Sequence, residues 1–96
     1  MKKEINLGLC QGRHSIPNVT RFIFSNEVNP LDVEGLQKEA KEYLFPFFNC
    51  SINIYVTGLT VALIAVLNAT KELNIENVTL YHYDRDSNSY YPQKVR

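Results

Sequence analysis

The chain has 96 residues, 45% of them hydrophobic and 21% charged, with ten Lys plus Arg against ten Asp plus Glu. That length suits one domain rather than two, and the composition excludes collagen-like, low-complexity and disordered chains. A formal net charge of zero argues against a broad basic surface for duplex DNA, although a pocket for a small anion needs only a few local charges.

No apolar stretch of signal-peptide length follows Met1-Lys2-Lys3-Glu4, so no export is expected. Ile5, Leu7 and Leu9 alternate with Asn6 and Gly8, the period-2 mark of a strand with one buried face. The polar loop Gln11-Gly12-Arg13-His14-Ser15-Ile16-Pro17 ends it. Arg21-Phe22-Ile23-Phe24 reads as a second, short strand. Asn29-Pro30 then opens a helix, with Asn as N-cap, Pro at the first helical position and Asp32 in the first turn. Val33, Leu36, Ala40 and Leu44 fall at helical spacing, and Pro46 ends the helix. Phe45, Phe47 and Phe48 form an apolar exit segment.

Residues 51–56 read as the next strand, with Ile52, Ile54 and Val56 alternating against Asn53 and Tyr55. Thr57-Gly58 breaks it, and residues 59–73 read as a helix that is apolar nearly all round. Such a helix is expected to be buried on more than one side, against its own sheet and something else. Its apolar run, residues 59–67, is far below the ~20 residues of a membrane span. Val78-Thr79-Leu80-Tyr81-His82-Tyr83 is a third strong strand. Residues 84–88 form a turn, and residues 89–95 return as the other arm of a hairpin. Residues 52–83 thus have the length of a βαβ unit, which predicts parallel strands and a right-handed crossover. The expectation is a single α/β ligand-binding domain over residues 1–96: a small open sheet with two helices and a C-terminal β-hairpin.

Cys10 and Cys50 show neither a CxxC pair nor metal spacing. Two lone thiols in an unexported chain are expected to be reduced, in the cytoplasm. No metal or cofactor is expected, and the four Asn-x-Ser/Thr sequons carry no weight in an unexported chain.

Open α/β sheets bind ligands beyond the carboxyl ends of their parallel strands, and three strand ends carry suitable residues. Thr57-Gly58-Leu59-Thr60 runs from a strand straight into a helix, whose first N–H groups favour a phosphate or carboxylate. Gly58 would let the backbone approach the anion and Thr57 or Thr60 would add a hydroxyl; the plainer alternative is an ordinary βα turn with Thr as N-cap. Gln11-Gly12-Arg13-His14 offers a guanidinium that can fork onto a phosphate and an imidazole that can move a proton near neutral pH, or else a solvated polar loop. Asp84-Arg85 reads first as a charged hairpin turn, with Arg85 a phosphate contact if the turn folds over the sheet edge. If the first strand is parallel to the others, all three ends meet on one edge.

His82 alternates with Tyr81 and Tyr83 and reads as a packed or cross-strand histidine. Tyr55, Tyr81, Tyr83, Tyr90 and Tyr91 could stack on a base, but Tyr is also a good strand former, the preferred reading for most of them. Cys10 lacks an acid partner for a Cys10–His14 pair and reads as a structural thiol.

Ile54-Tyr55-Val56-Thr57-Gly58-Leu59-Thr60, the apolar helix after it, and Val78-Thr79-Leu80-Tyr81-His82-Tyr83-Asp84-Arg85 together resemble the small Rossmann-like proteins of the CRISPR-associated (CARF-type) sensor and ring-nuclease group. The resemblance covers the C-terminal half of the chain, and Gly12-Arg13-His14 sits where such proteins place a ligand loop. It implies binding of a cyclic nucleotide or cyclic oligonucleotide messenger of antiviral defence, as a sensor or as a phage protein that sequesters the signal. On it, Thr57, Gly58 and Thr60, with Asp84 and Arg85, carry over as ligand contacts. With no effector domain in the chain, a stand-alone binder or a ring-opening enzyme is expected.

The alternative to binding is a metal-independent ring nuclease. There the ribose 2′-hydroxyl of the ligand attacks the adjacent phosphate, His14 acts as acid or base, and Arg13 stabilises the developing charge. A single candidate His with no second acid or base favours binding. A further alternative is a protein-interaction domain with no small ligand. The apolar helix and the Phe45–Phe48 segment also predict a homodimer or higher homo-oligomer.

Overall fold

In the computed structural model, which describes residues 3–12, 15–25, 28–57 and 59–96, five strands form one sheet in the order β2-β1-β3-β4-β5. β1 (Glu4–Cys10), β2 (Phe22–Phe24), β3 (Ser51–Tyr55) and β4 (Val78–Asp84) run parallel. β5 (Ser89–Lys94) returns antiparallel along β4. The helices are α1 (Val33–Leu44) and α2 (Thr60–Glu72). The fold is the expected small open Rossmann-like sheet with two helices and a C-terminal hairpin.

The crossovers β2–α1–β3 and β3–α2–β4 step the same way across the sheet. Connections of one hand therefore put both helices on the same face. Leu7, Leu9, Ile52, Ile54, Val78 and Leu80 form the floor of that core, beneath Leu36, Ala40 and Leu44 of α1 and Ala62, Ala65, Val66 and Ala69 of α2. Each fully buried Leu, Ile or Val contributes roughly 1.5–3 kcal/mol, and the alanines of α2 let it approach the strands closely.

The connection from β1 to β2 steps the other way, and the same rule puts it on the opposite face. There Ile16 and Val19 are buried with Tyr55 in a second, smaller core, bordered by Phe22, Tyr81 and Tyr90. Phe22 lies across Gly8: a Cβ at Gly8 would sit 2.3 Å from the Phe22 ring.

One expectation needs correction. α1 begins at Val33 with Asp32 as its cap, not at Asn29-Pro30: Gly35 N–H donates to Asp32 Oδ1 at 3.1 Å. Asn29 instead accepts the Leu31 N–H on its own side-chain oxygen at 3.1 Å, a local turn that precedes the helix. α2 is buried on more than one side, as expected, against the sheet and against α1. Gln37 Nε2 donates to Glu72 Oε1 at 2.7 Å, and Lys41 Nζ lies 3.3 Å from Glu72 Oε2. Leu63 and Leu67 are half-buried, which leaves Ile64 (50% exposed) and Leu59 (42%) as the open apolar residues of this segment. Phe45 and Phe48 are exposed as well. No described helix is long and apolar enough to cross a membrane.

Candidate functional site

Because β1, β3 and β4 are parallel neighbours, their carboxyl ends share one edge of the sheet. The chain leaves β1 towards β2 and leaves β3 towards β4, so the connections diverge between β1 and β3. Such a topological switch point is where open α/β sheets form ligand crevices. The backbone shows the divergence directly. Gln11 N–H bonds the Phe24 carbonyl at 3.1 Å on one side, and Val56 N–H bonds the Tyr81 carbonyl at 2.9 Å on the other. Across the gap, Thr57 Oγ1 donates to the Cys10 carbonyl at 2.8 Å and accepts the Cys10 N–H at 3.3 Å.

A cleft of about 1050 Å³ opens over this point, at the upper end of the ~300–1,000 Å³ of small-molecule sites. Its described lining is Cys10 at the end of β1 and Gly12 after it, Ser15, Ile16, Pro17 and Asn18 of the following loop, Tyr55, Val56 and Thr57, and Tyr81, Tyr83, Asn88, Ser89 and Tyr90 of the hairpin. Four tyrosines make one connected surface. Tyr55 and Tyr81 stack with centroids 4.8 Å apart and planes 9° from parallel. Tyr90 meets Tyr55 edge-on at 5.2 Å, and Tyr83 lies 5.4 Å from Tyr90. They converge because Tyr55 faces Tyr81 and Tyr83 faces Tyr90 in the strand register. All lie on the sheet face that the helices leave uncovered.

Burial pushes the Cys10 thiol up from its ordinary value, against a smaller opposing effect of a backbone hydrogen bond from Leu59. Burial also raises the phenols of Tyr55, with the charges of Tyr81 and Glu4 adding to it, and of Tyr90. These groups therefore stay neutral near pH 7 and present hydrogen-bonding and apolar surface rather than charge.

The structure treats the sequence-expected site residues unequally. Gly12 and Thr57 line the cleft, but the Thr57 hydroxyl proton is committed to the Cys10 carbonyl and one of its lone pairs to the Cys10 N–H. Gln11 is exposed beside the cleft. Arg13, His14 and Gly58 lie outside the described residues. Leu59 is the N-cap of α2 without a side-chain cap, and Thr60 is exposed in its first turn. Asp84 closes the hairpin turn, accepting the Ser87 hydroxyl at 2.7 Å and the Asp86 N–H at 3.4 Å, and Arg85 is exposed in that turn. His82 is cross-strand, with Nε2 2.8 Å from Gln93 Oε1. Cys10 and Cys50 are both free thiols. Among the described residues, no cluster of three or more His, Cys, Asp or Glu could hold a metal ion.

Sequence reasoning noted the tyrosines but read most of them as strand formers, and it passed over Ser15, Asn18, Asn88 and Ser89. The available signal was the i, i+2 spacing of Tyr81 and Tyr83, which puts both on one face of a strand. Fold and cleft together define a small Rossmann-like α/β protein with a tyrosine-lined pocket at its switch point. Comparisons of the chain with protein-family models, curated proteins and solved structures find no match.

Proposed function

We propose that the protein binds a cyclic nucleotide or cyclic oligonucleotide messenger of antiviral defence in this cleft, as a sensor or a sequestering protein. The observation that carries the reading is the connected surface of Tyr55, Tyr81, Tyr83 and Tyr90 at the switch point. Aromatic faces hold bases by stacking, each worth about 1–3 kcal/mol, and switch-point crevices are the usual nucleotide position in open α/β sheets. The messenger identity rests on the resemblance of residues 54–60 and 78–85 to CARF-type proteins. Retention is favoured over turnover because the sequence offers one candidate His, His14, with no second acid or base to pair with it.

Incubation with a panel of cyclic mono-, di- and oligonucleotides, followed by filtration and chromatography of the bound fraction, tests this. Intact, retained ligand is expected. Linear product would instead establish a ring nuclease, and retention of none of the panel would overturn the reading. Association of two copies through the open residues Leu59 and Ile64 belongs to the same proposal. Sedimentation equilibrium at micromolar concentration should give twice 11.1 kDa, and a monomer mass with and without ligand would remove it.

A further inference from the structure

Among the described residues, three other than glycine adopt a positive φ: Asn18 at 68°, Asn74 at 56° and Asn88 at 51°. Asn74 follows the C-cap of α2, where a left-handed Asn is ordinary. Asn18 and Asn88 both line the cleft. Asn18 belongs to the loop after β1, where it also borders a second cavity with Glu4 and Asn6, and Asn88 belongs to the hairpin turn.

Each is held by a hydrogen bond that leaves carboxamide atoms free. The Asn18 carbonyl accepts from Asn6 Nδ2 at 3.4 Å. Asn6 Oδ1 in turn accepts from Asn53 Nδ2 at 2.8 Å, and the same nitrogen donates to Glu4 Oε1 at 2.6 Å. This chain ties the Asn18 backbone to the sheet, while its side chain has no hydrogen-bond partner among the described residues. In the hairpin, the Tyr83 hydroxyl donates to Asn88 Oδ1 at 2.6 Å, which leaves the two Nδ2 protons of Asn88 without a partner among the described residues.

A carboxamide presents a donor beside an acceptor, the pattern that pairs with the edge of a nucleobase. We infer that Asn18 and Asn88 read the edge of a nucleobase whose plane is held by the cleft tyrosines, so that they set base preference without charge. The inference rests on the nucleotide reading of the cleft and deepens it.

The test uses Asn18→Gly and Asn88→Gly, because glycine keeps the left-handed backbone and removes only the carboxamide. The probes are adenosine, guanosine, cytidine and uridine, titrated into isotope-labelled protein and followed by the side-chain amide resonances of Asn18 and Asn88. One nucleoside is expected to bind in preference and to shift both resonances. Each variant should weaken that binding by about 3–10-fold, the worth of a neutral hydrogen bond, and flatten the ranking of bases. Tyr83→Phe, which releases Asn88, should flatten it in the same direction.

Unchanged affinity and ranking in both glycine variants would overturn the inference. So would binding of cyclic nucleotides but of no nucleoside, a result that leaves the functional proposal standing. Ranked nucleoside binding with no cyclic nucleotide retained would keep the asparagine pair and remove the messenger reading. Binding of neither class removes both.

Discussion

Thr57 and Cys10 are joined twice through one hydroxyl: Thr57 Oγ1 donates to the Cys10 carbonyl at 2.8 Å and accepts the Cys10 N–H at 3.3 Å. The β1–β3 ladder pairs Gly8 with Tyr55, so Cys10 and Thr57 stand level two residues further on. There the strands part, and a side chain takes over from the backbone ladder. The floor of the cleft is thereby fixed where the connections diverge.

Thr57→Val keeps the shape of the side chain and leaves the Cys10 N–H and carbonyl without these partners. A loss of about 1–3 kcal/mol in urea-denaturation stability is expected, the cost of an unsatisfied part-buried polar group. Thr57→Ser should retain most of the stability. Equal losses in both variants would show that the methyl group, not the hydroxyl, matters here.

Gly8→Ala is expected to destabilise by about 1–3 kcal/mol, the usual cost of overpacking, because the new methyl would lie 2.3 Å from the Phe22 ring. Phe22→Leu combined with Gly8→Ala should recover part of the loss, since a smaller side chain vacates the space. Thermal unfolding of the single and double variants measures both effects.

Burial holds the Cys10 thiol above its ordinary value of 9.0. The folded state then keeps this proton more tightly than the unfolded chain. The associated stability is fully present below about pH 9 and is lost as pH rises through the folded value. Tyr55 and Tyr90, also raised by burial, act with the same sign at higher pH. Denaturation midpoints should therefore fall on the alkaline side, and Cys10→Ala should remove the earliest part of the fall. At neutral pH a thiol reagent should modify the half-buried Cys50 before the buried Cys10.

The Ser87 hydroxyl, with smaller help from the Asp86 and Ser87 backbone, holds the Asp84 carboxyl below its ordinary range. A lowered carboxyl value adds to turn stability above the unfolded value, and that addition is lost as pH falls through the folded one. In Ser87→Ala, the Asp84 titration followed by carboxyl-carbon NMR should move upward. An unmoved titration would show that the backbone N–H groups alone suffice.

The elements themselves were legible because they rest on local periodicity. Ile5, Leu7 and Leu9 marked β1, residues 52–83 marked a parallel βαβ unit, and residues 84–88 marked the hairpin turn. Capping was less legible: Asn29 and Asp32 both suit an N-cap, and only the backbone path gives Gly35 N–H to Asp32. Strand order was not legible at all, because pairing β1 with β2 on one side and β3 on the other joins residues far apart in sequence. That order decides which sheet face both helices cover, and so which tyrosines remain available. It also sets Thr57 against Cys10 and brings Asn18 and Asn88 to the lining of one cleft. The sequence alone determined which residues alternate and where the chain turns; the tertiary structure decided which alternating face stays open, because that depends on long-range pairing and on the common hand of the crossovers.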